Sequence, residues 1–110
     1  MAGKFECYKD KAGEFRFRLV AANGNTILSS EGYKSKSGCA NGIESVRKNS
    51  QDPDRFVKKE TATGKFRFSL TAKNSQTIGT SQNYASVSGR NNGIKSVANN
   101  APGAVVVEES

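Results

Sequence analysis

Phe15, Phe17, Leu19 and Ala21 alternate with Arg16, Arg18 and Val20. Alternation with period two predicts a strand that buries one face. Upstream, Lys4–Lys9 sets Phe5 and Cys7 against Glu6 and Tyr8, and Asp10-Lys11-Ala12-Gly13 is a turn. Downstream, Asn23-Gly24 is the signal of a tight hairpin. It leads into a third strand over Thr26–Glu31, with Ile27 as its core residue. Gly32-Tyr33-Lys34 breaks that strand. The periodicity then changes: Cys39, Ile43 and Val46 fall on one helical face. The helix starts near Ser35 or Ser37, either of which can cap free N–H groups, and stops before Pro53.

The same order returns 51 residues later, without a gap from Phe5/Phe56 to Asn49/Asn100. Phe56–Glu60, Phe66–Ala72 and Thr77–Gln82 are predicted strands, and a helix runs to about Asn100. Pro102-Gly103 turns the chain into a last strand through Val105-Val106-Val107, followed by a short acidic tail. A fixed period of this length means one supersecondary unit used twice. Units of about 50 residues are marginal alone. Residues 1–110 therefore read as one domain, with repeats over about 4–54 and 55–109. Strand 56–60 ends the first unit and begins the second.

Both copies carry Phe-Arg-Phe-x-Leu, then Tyr-x-Ser-x-Ser-Gly-x-x-Asn-Gly-Ile-x-Ser-Val, from Tyr33 to Val46 and from Tyr84 to Val97. This pattern resembles the YegP-type family of bacterial tandem-repeat domains of unknown function. The resemblance implies an α+β fold: two β-β-β-α(-β) units in a single antiparallel sheet, related by a pseudo-twofold axis, with their C-terminal strands exchanged. The family brings no catalytic residue, ligand or partner with it.

Composition narrows the chemistry. Histidine is absent, so the commonest general base and zinc ligand are both missing. No acidic residue recurs at equivalent positions, and no nucleophile, phosphate-loop or metal-ligand spacing is present. These features point away from an enzyme, and neither cofactor nor metal is expected. Cys7 and Cys39 have Lys58 and Arg90 as repeat equivalents, and two free, partly buried thiols are expected. No stretch has the length of a membrane span, and the first residues lack a signal peptide's apolar run. A soluble, cytoplasmic monomer is the expectation.

The net charge of +7 invites a nucleic-acid reading, but the charges are spread along the chain. With helices on one side of the sheet, alternation sends Tyr8, Arg16, Arg18, Lys59 and Arg67 to the other face. Arginine forks there suit phosphate or carboxylate; equally, they can pair across strands with Glu6, Glu14 or Glu60. The helix starts, Ser35-Lys36-Ser37-Gly38 and Ser86-Val87-Ser88-Gly89, fit a cap or an anion site. Phe15, Phe17, Phe66 and Phe68 superficially resemble an RNA-stacking motif, but they are expected in the core. Gly42 and Gly93 lie inside helices, where glycine costs roughly 0.5–1 kcal/mol; a close approach to the sheet accounts for both. The function expected is an interaction module for a protein partner. The alternatives are non-specific binding of nucleic acid or another polyanion, and a purely structural accessory role.

Overall fold

The computed structural model describes residues 3–108. The elements run β1 (Lys4–Lys9), β2 (Phe15–Val20), β3 (Thr26–Ser30), α1 (Lys36–Asn49), β4 (Phe56–Glu60), β5 (Phe66–Thr71), β6 (Thr77–Thr80), α2 (Val87–Asn100) and β7 (Val105–Glu108). A short 3-10 turn, Pro53–Arg55, precedes β4. Of the acidic tail expected after Val107, Glu108 belongs to β7 and the remainder lies outside the described residues.

Local chemistry sets the turns. At the β1–β2 hairpin the Asp10 carboxylate accepts the N–H groups of Ala12 and Glu14, each at 2.9 Å. At the β2–β3 turn Asn23 accepts from the Asn25 N–H at 3.0 Å, and Gly24 takes a φ of 89°. Ser75 holds the equivalent place with a φ of 69°. The helices begin as their serines predict. Ser35 Oγ accepts the Gly38 N–H and Ser86 Oγ the Gly89 N–H, both at 3.0 Å.

All seven strands form one sheet in the order β4-β5-β6-β3-β2-β1-β7. The centre is the β3–β6 seam, where Ser29 meets Thr80 and Ser30 meets Gly79. A pseudo-twofold axis there exchanges β3 with β6, β2 with β5 and β1 with β4. The strand after each helix crosses to the half built by the other repeat: β4 pairs with β5, and β7 with β1. The antiparallel pattern holds for six strands. β7 joins parallel to β1, because the antiparallel place on β2 is already occupied by β1.

Phe5, Phe17, Leu19, Leu28, Cys39 and Val46 from the first repeat, with Phe68, Leu70 and Val97 from the second, are fully buried in one core. Both helices lie on that side. Phe15 and Phe66 differ from expectation. They sit at the strand ends and are only half-buried, Phe15 packing against the margin of the core, with Lys9 and Arg90 over the two rings. A register shift between Leu19 and Val20 breaks the alternation of β2 against β3. Ile27 and Leu28 are consequently both buried.

Between sheet and helix stands an aromatic column absent from the predicted core. The Tyr33 N–H donates to the Phe15 carbonyl and the Phe15 N–H to the Tyr33 carbonyl, both at 2.7 Å. The Tyr33 ring stacks on Phe17 with centroids 6.2 Å apart, and Tyr84 stacks on Phe68 at 6.3 Å. A Cβ at Gly42 would stand 2.7 Å from Tyr33 Cζ and 2.9 Å from Phe17 Cε2. At Gly93 the matching distances, to Tyr84 and Phe68, are 2.7 Å and 3.1 Å. Each helical glycine is therefore a seat for a tyrosine.

Candidate functional site

Tyr8, Arg16 and Arg18 lie on the sheet face away from the helices, on the adjacent strands β1 and β2. Their charge is internally balanced. Arg18 Nε donates to Glu6 Oε1 at 2.5 Å, and its guanidinium lies 4.7 Å from the centre of the Tyr8 ring. Arg16 Nε donates to Asp10 Oδ2 at 2.6 Å, and its Nη1 to the Ser30 carbonyl at 3.3 Å. The bond from Arg18, then that from Lys4, holds the Glu6 carboxyl below its ordinary range. The bond from Arg16 does the same for Asp10.

Lys59 and Arg67 are brought together elsewhere. They face each other in register across β4 and β5, both exposed, with no acidic partner among the described residues. Between the two groups runs a row of small side chains, Ser29, Thr80 and Ser69. The five residues grouped by alternation thus form two clusters at opposite ends of the sheet, and only the Lys59–Arg67 cluster is unbalanced.

At the helix starts, Ser35 and Ser86 direct their oxygens to the caps. Ser37 Oγ lies 3.2 Å from Ser35 Oγ, and Ser88 is exposed. Gly38 and Gly89 pack on tyrosine: a Cβ would stand 3.4 Å from Tyr33 Cδ1 and 3.5 Å from Tyr84 Cδ1. An open cleft of about 440 Å³ separates α1 from the β5–β6 turn, lined by Glu31, Tyr33, Asn41, Ser45, Gln76 and Ile78 among others. No group of three or more Cys, Asp or Glu among the described residues is placed to hold a metal ion. No helix is long and apolar enough to cross a membrane.

Two features escaped the sequence. The first is β7. Its valines, Val105, Val106 and Val107, are 63%, 47% and 39% exposed, on a strand whose outer edge has no partner strand among the described residues. Three consecutive valines at a chain end were the available signal, since a buried face accounts for only alternate residues. The second is the meeting of Cys7 on β1 with Cys39 in the first turn of α1. Their sulfurs are 3.2 Å apart. Burial first, then the neighbouring Cys7, pushes the Cys39 thiol up to about 12. The signal was that repeat two lacks both cysteines together.

The DUF1508 family, described as a domain of unknown function, matches residues 10–56 and again residues 62–108. A UPF0339 protein encoded in the 5' region of the ptx operon of Stutzerimonas stutzeri is 60% identical over 108 residues, covering 98% of this chain and 97% of that protein. The UPF0339 protein YegP of Escherichia coli K12 is 47% identical over the full length of both. The solution structure of E. coli yegP, described as a protein of unknown function, superposes with a TM-score of 0.94 at 48% identity, covering 99% of this chain and 94% of that one. A UPF0339 protein from Shewanella oneidensis superposes with a TM-score of 0.92 at 45% identity, covering 98% and 92%.

Proposed function

Since the chain belongs to the DUF1508 family, whose domain it carries twice, we propose that it works as a small non-enzymatic interaction module that takes up an extended segment of a protein partner beside β7. The observation that carries this reading is the exposure of Val105, Val106 and Val107 on a sheet edge that no other strand among the described residues covers. An open edge offers a row of free N–H and C=O groups, and a partner strand can add to it. The opposite edge is guarded differently. β4 exposes Lys58 and Lys59 beside Val57, and edge lysines discourage pairing. A fitting partner segment has apolar side chains to cover the valines; Glu108 beside them already faces Lys36 Nζ at 3.7 Å.

The second reading, a nucleic acid or another polyanion, rests on the unbalanced Lys59 and Arg67 pair. It carries less weight because Arg16 and Arg18 are each bonded to a carboxylate.

Affinity capture from a bacterial lysate, with and without nuclease, tests the two. The parent is compared with a Val105→Lys, Val107→Lys double variant and with Lys59→Ala, Arg67→Ala. The expected result is a partner retained after nuclease and lost only from the valine variant. A captured set unchanged by the valine substitutions overturns the strand-addition reading. Loss on nuclease treatment or with Lys59→Ala, Arg67→Ala favours the polyanion.

A further inference from the structure

We propose that Cys7 and Cys39 form a redox-active dithiol, closed to an intramolecular disulfide by peroxide and reopened by a dithiol reductant. The two are the only cysteines in the chain. They are 32 residues apart in sequence, yet their sulfurs lie 3.2 Å apart. A disulfide requires about 2.05 Å, so closure needs only a small shift of two side chains.

The repeat separates this pair from ordinary core packing. At the equivalent positions the second half carries Lys58 and Arg90. Lys58 is exposed, and Arg90 turns to the Phe66 ring and the Asn91 side chain. The fold therefore builds the same strand–helix junction without two small apolar side chains in contact.

Accessibility sets the order of events. Cys7 is half-buried and Cys39 fully buried, so a small oxidant reaches Cys7 first. In the first step the Cys7 thiolate attacks one oxygen of hydrogen peroxide and the O–O bond breaks. Cys7 becomes a sulfenic acid, and the other oxygen takes up a proton and leaves as water. In the second step the Cys39 sulfur attacks the Cys7 sulfur. The S–S bond forms, the S–O bond breaks, and the departing hydroxide leaves as water with the Cys39 proton. Two electrons pass from the thiols to the peroxide, and one peroxide yields two waters.

The test uses the full chain, reduced with dithiothreitol and freed of it, then treated with a small excess of hydrogen peroxide. The expected product is a monomer lighter by about 2 Da, whose peptide map links the Cys7 and Cys39 peptides. Dithiothreitol restores both thiols. Closing this loop raises the melting midpoint by on the order of 5 °C or more. In Cys39→Ser, Cys7 stops at the sulfenic acid and is trapped by dimedone. Should Cys39→Ser fail to fold, Cys7→Ser serves in its place: the buried Cys39 then stays reduced at the same peroxide dose. Persistence of both thiols in the parent overturns the proposal. So does over-oxidation of Cys7 by about 32 Da without a cross-link, or a cross-link found only between two chains.

Discussion

Arg47 on α1 donates a 2.7 Å hydrogen bond from Nη2 to the carbonyl oxygen of Ala104, the residue immediately before β7. The same guanidinium lies 5.6 Å from the centre of the Phe5 ring on β1. The first repeat's helix thus holds the entry of the second repeat's terminal strand. No copy of this bond exists across the pseudo-twofold axis, because Ala98 takes the place of Arg47.

Arg47→Ala is expected to cost about 1.5–3 kcal/mol, the range for hydrogen bonds to charged groups. The loss falls on β7 first. Hydrogen exchange should show the β7 amides that bond to β1 losing protection before those of β2 or β5. If β7 keeps its parental protection while the whole domain weakens evenly, the bond is not what fastens the strand.

Gly42→Ala sets two effects against each other. Alanine gains roughly 0.5–1 kcal/mol in a helix interior, whereas forcing an extra carbon into a packed site costs about 1–3 kcal/mol. The methyl would stand under 3 Å from Tyr33 Cζ and Phe17 Cε2, and Phe17 is fully buried, so the cost wins. The net loss is about 1–2 kcal/mol. The nearest atom is the Tyr33 hydroxyl. Tyr33→Phe removes it and should recover part of the loss, which a double-mutant cycle measures as coupling. A Gly42→Ala protein as stable as its parent contradicts the contact.

Much of this column was legible and its purpose was not. Repeated helical glycines signalled a close approach, and Ser35 and Ser86 marked the caps. Gly32-Tyr33-Lys34 reads as a strand break, because a single bridge between Tyr33 and Phe15 leaves no periodicity to read. Adjacent burial of Ile27 and Leu28 was hidden for a similar reason. It depends on a bulge in β3 itself, where Ile27 is the extra residue between the Leu19–Leu28 and Val20–Thr26 pairs. Pairing of β7 with β1 joins opposite ends of the chain, which alternation within a segment does not encode. At the candidate site, alternation put the arginines on the correct face but could not show which carboxylates reach them. Glu6 and Asp10 take Arg18 and Arg16, whereas Glu60, expected as a partner, leaves Arg67 alone. Glu60 is opposite Phe66, on the helix side of β4.

Those carboxylates predict an acid limb. Glu6 and Asp10 have folded pKa values below 4.5 and 3.8, the ordinary values for their types. Their stabilisation is therefore complete above those ordinary values. It is lost as pH falls through the lower folded values. Denaturant titrations from pH 7 to pH 2.5 should show stability declining below about pH 4.5. Glu6→Gln should be less stable than the parent at pH 7, with the gap closing toward the acid end. A gap that stays constant across the range shows that Arg18 does not depend on the Glu6 charge.

Lys59 and Arg67 make the opposite case. They are two cations directly across from one another on exposed strands. Like charges in that arrangement destabilise, and an opposite pair contributes roughly 0.2–1 kcal/mol. Lys59→Glu replaces repulsion with attraction and should stabilise the domain by about 0.5–1 kcal/mol at low ionic strength. The gain should shrink in 1 M salt, where the screening length falls to about 3 Å. Chemical denaturation with urea, which adds no ions, makes both comparisons. The outcome also bears on function. Positions that weaken the fold with uncompensated charge and are relieved by a single substitution are where a bound anion would contribute most. Lys59→Glu should therefore improve the fold while abolishing whatever affinity for polyanions this end of the sheet has. A variant no more stable than the parent at low salt shows that Lys59 and Arg67 do not oppose each other.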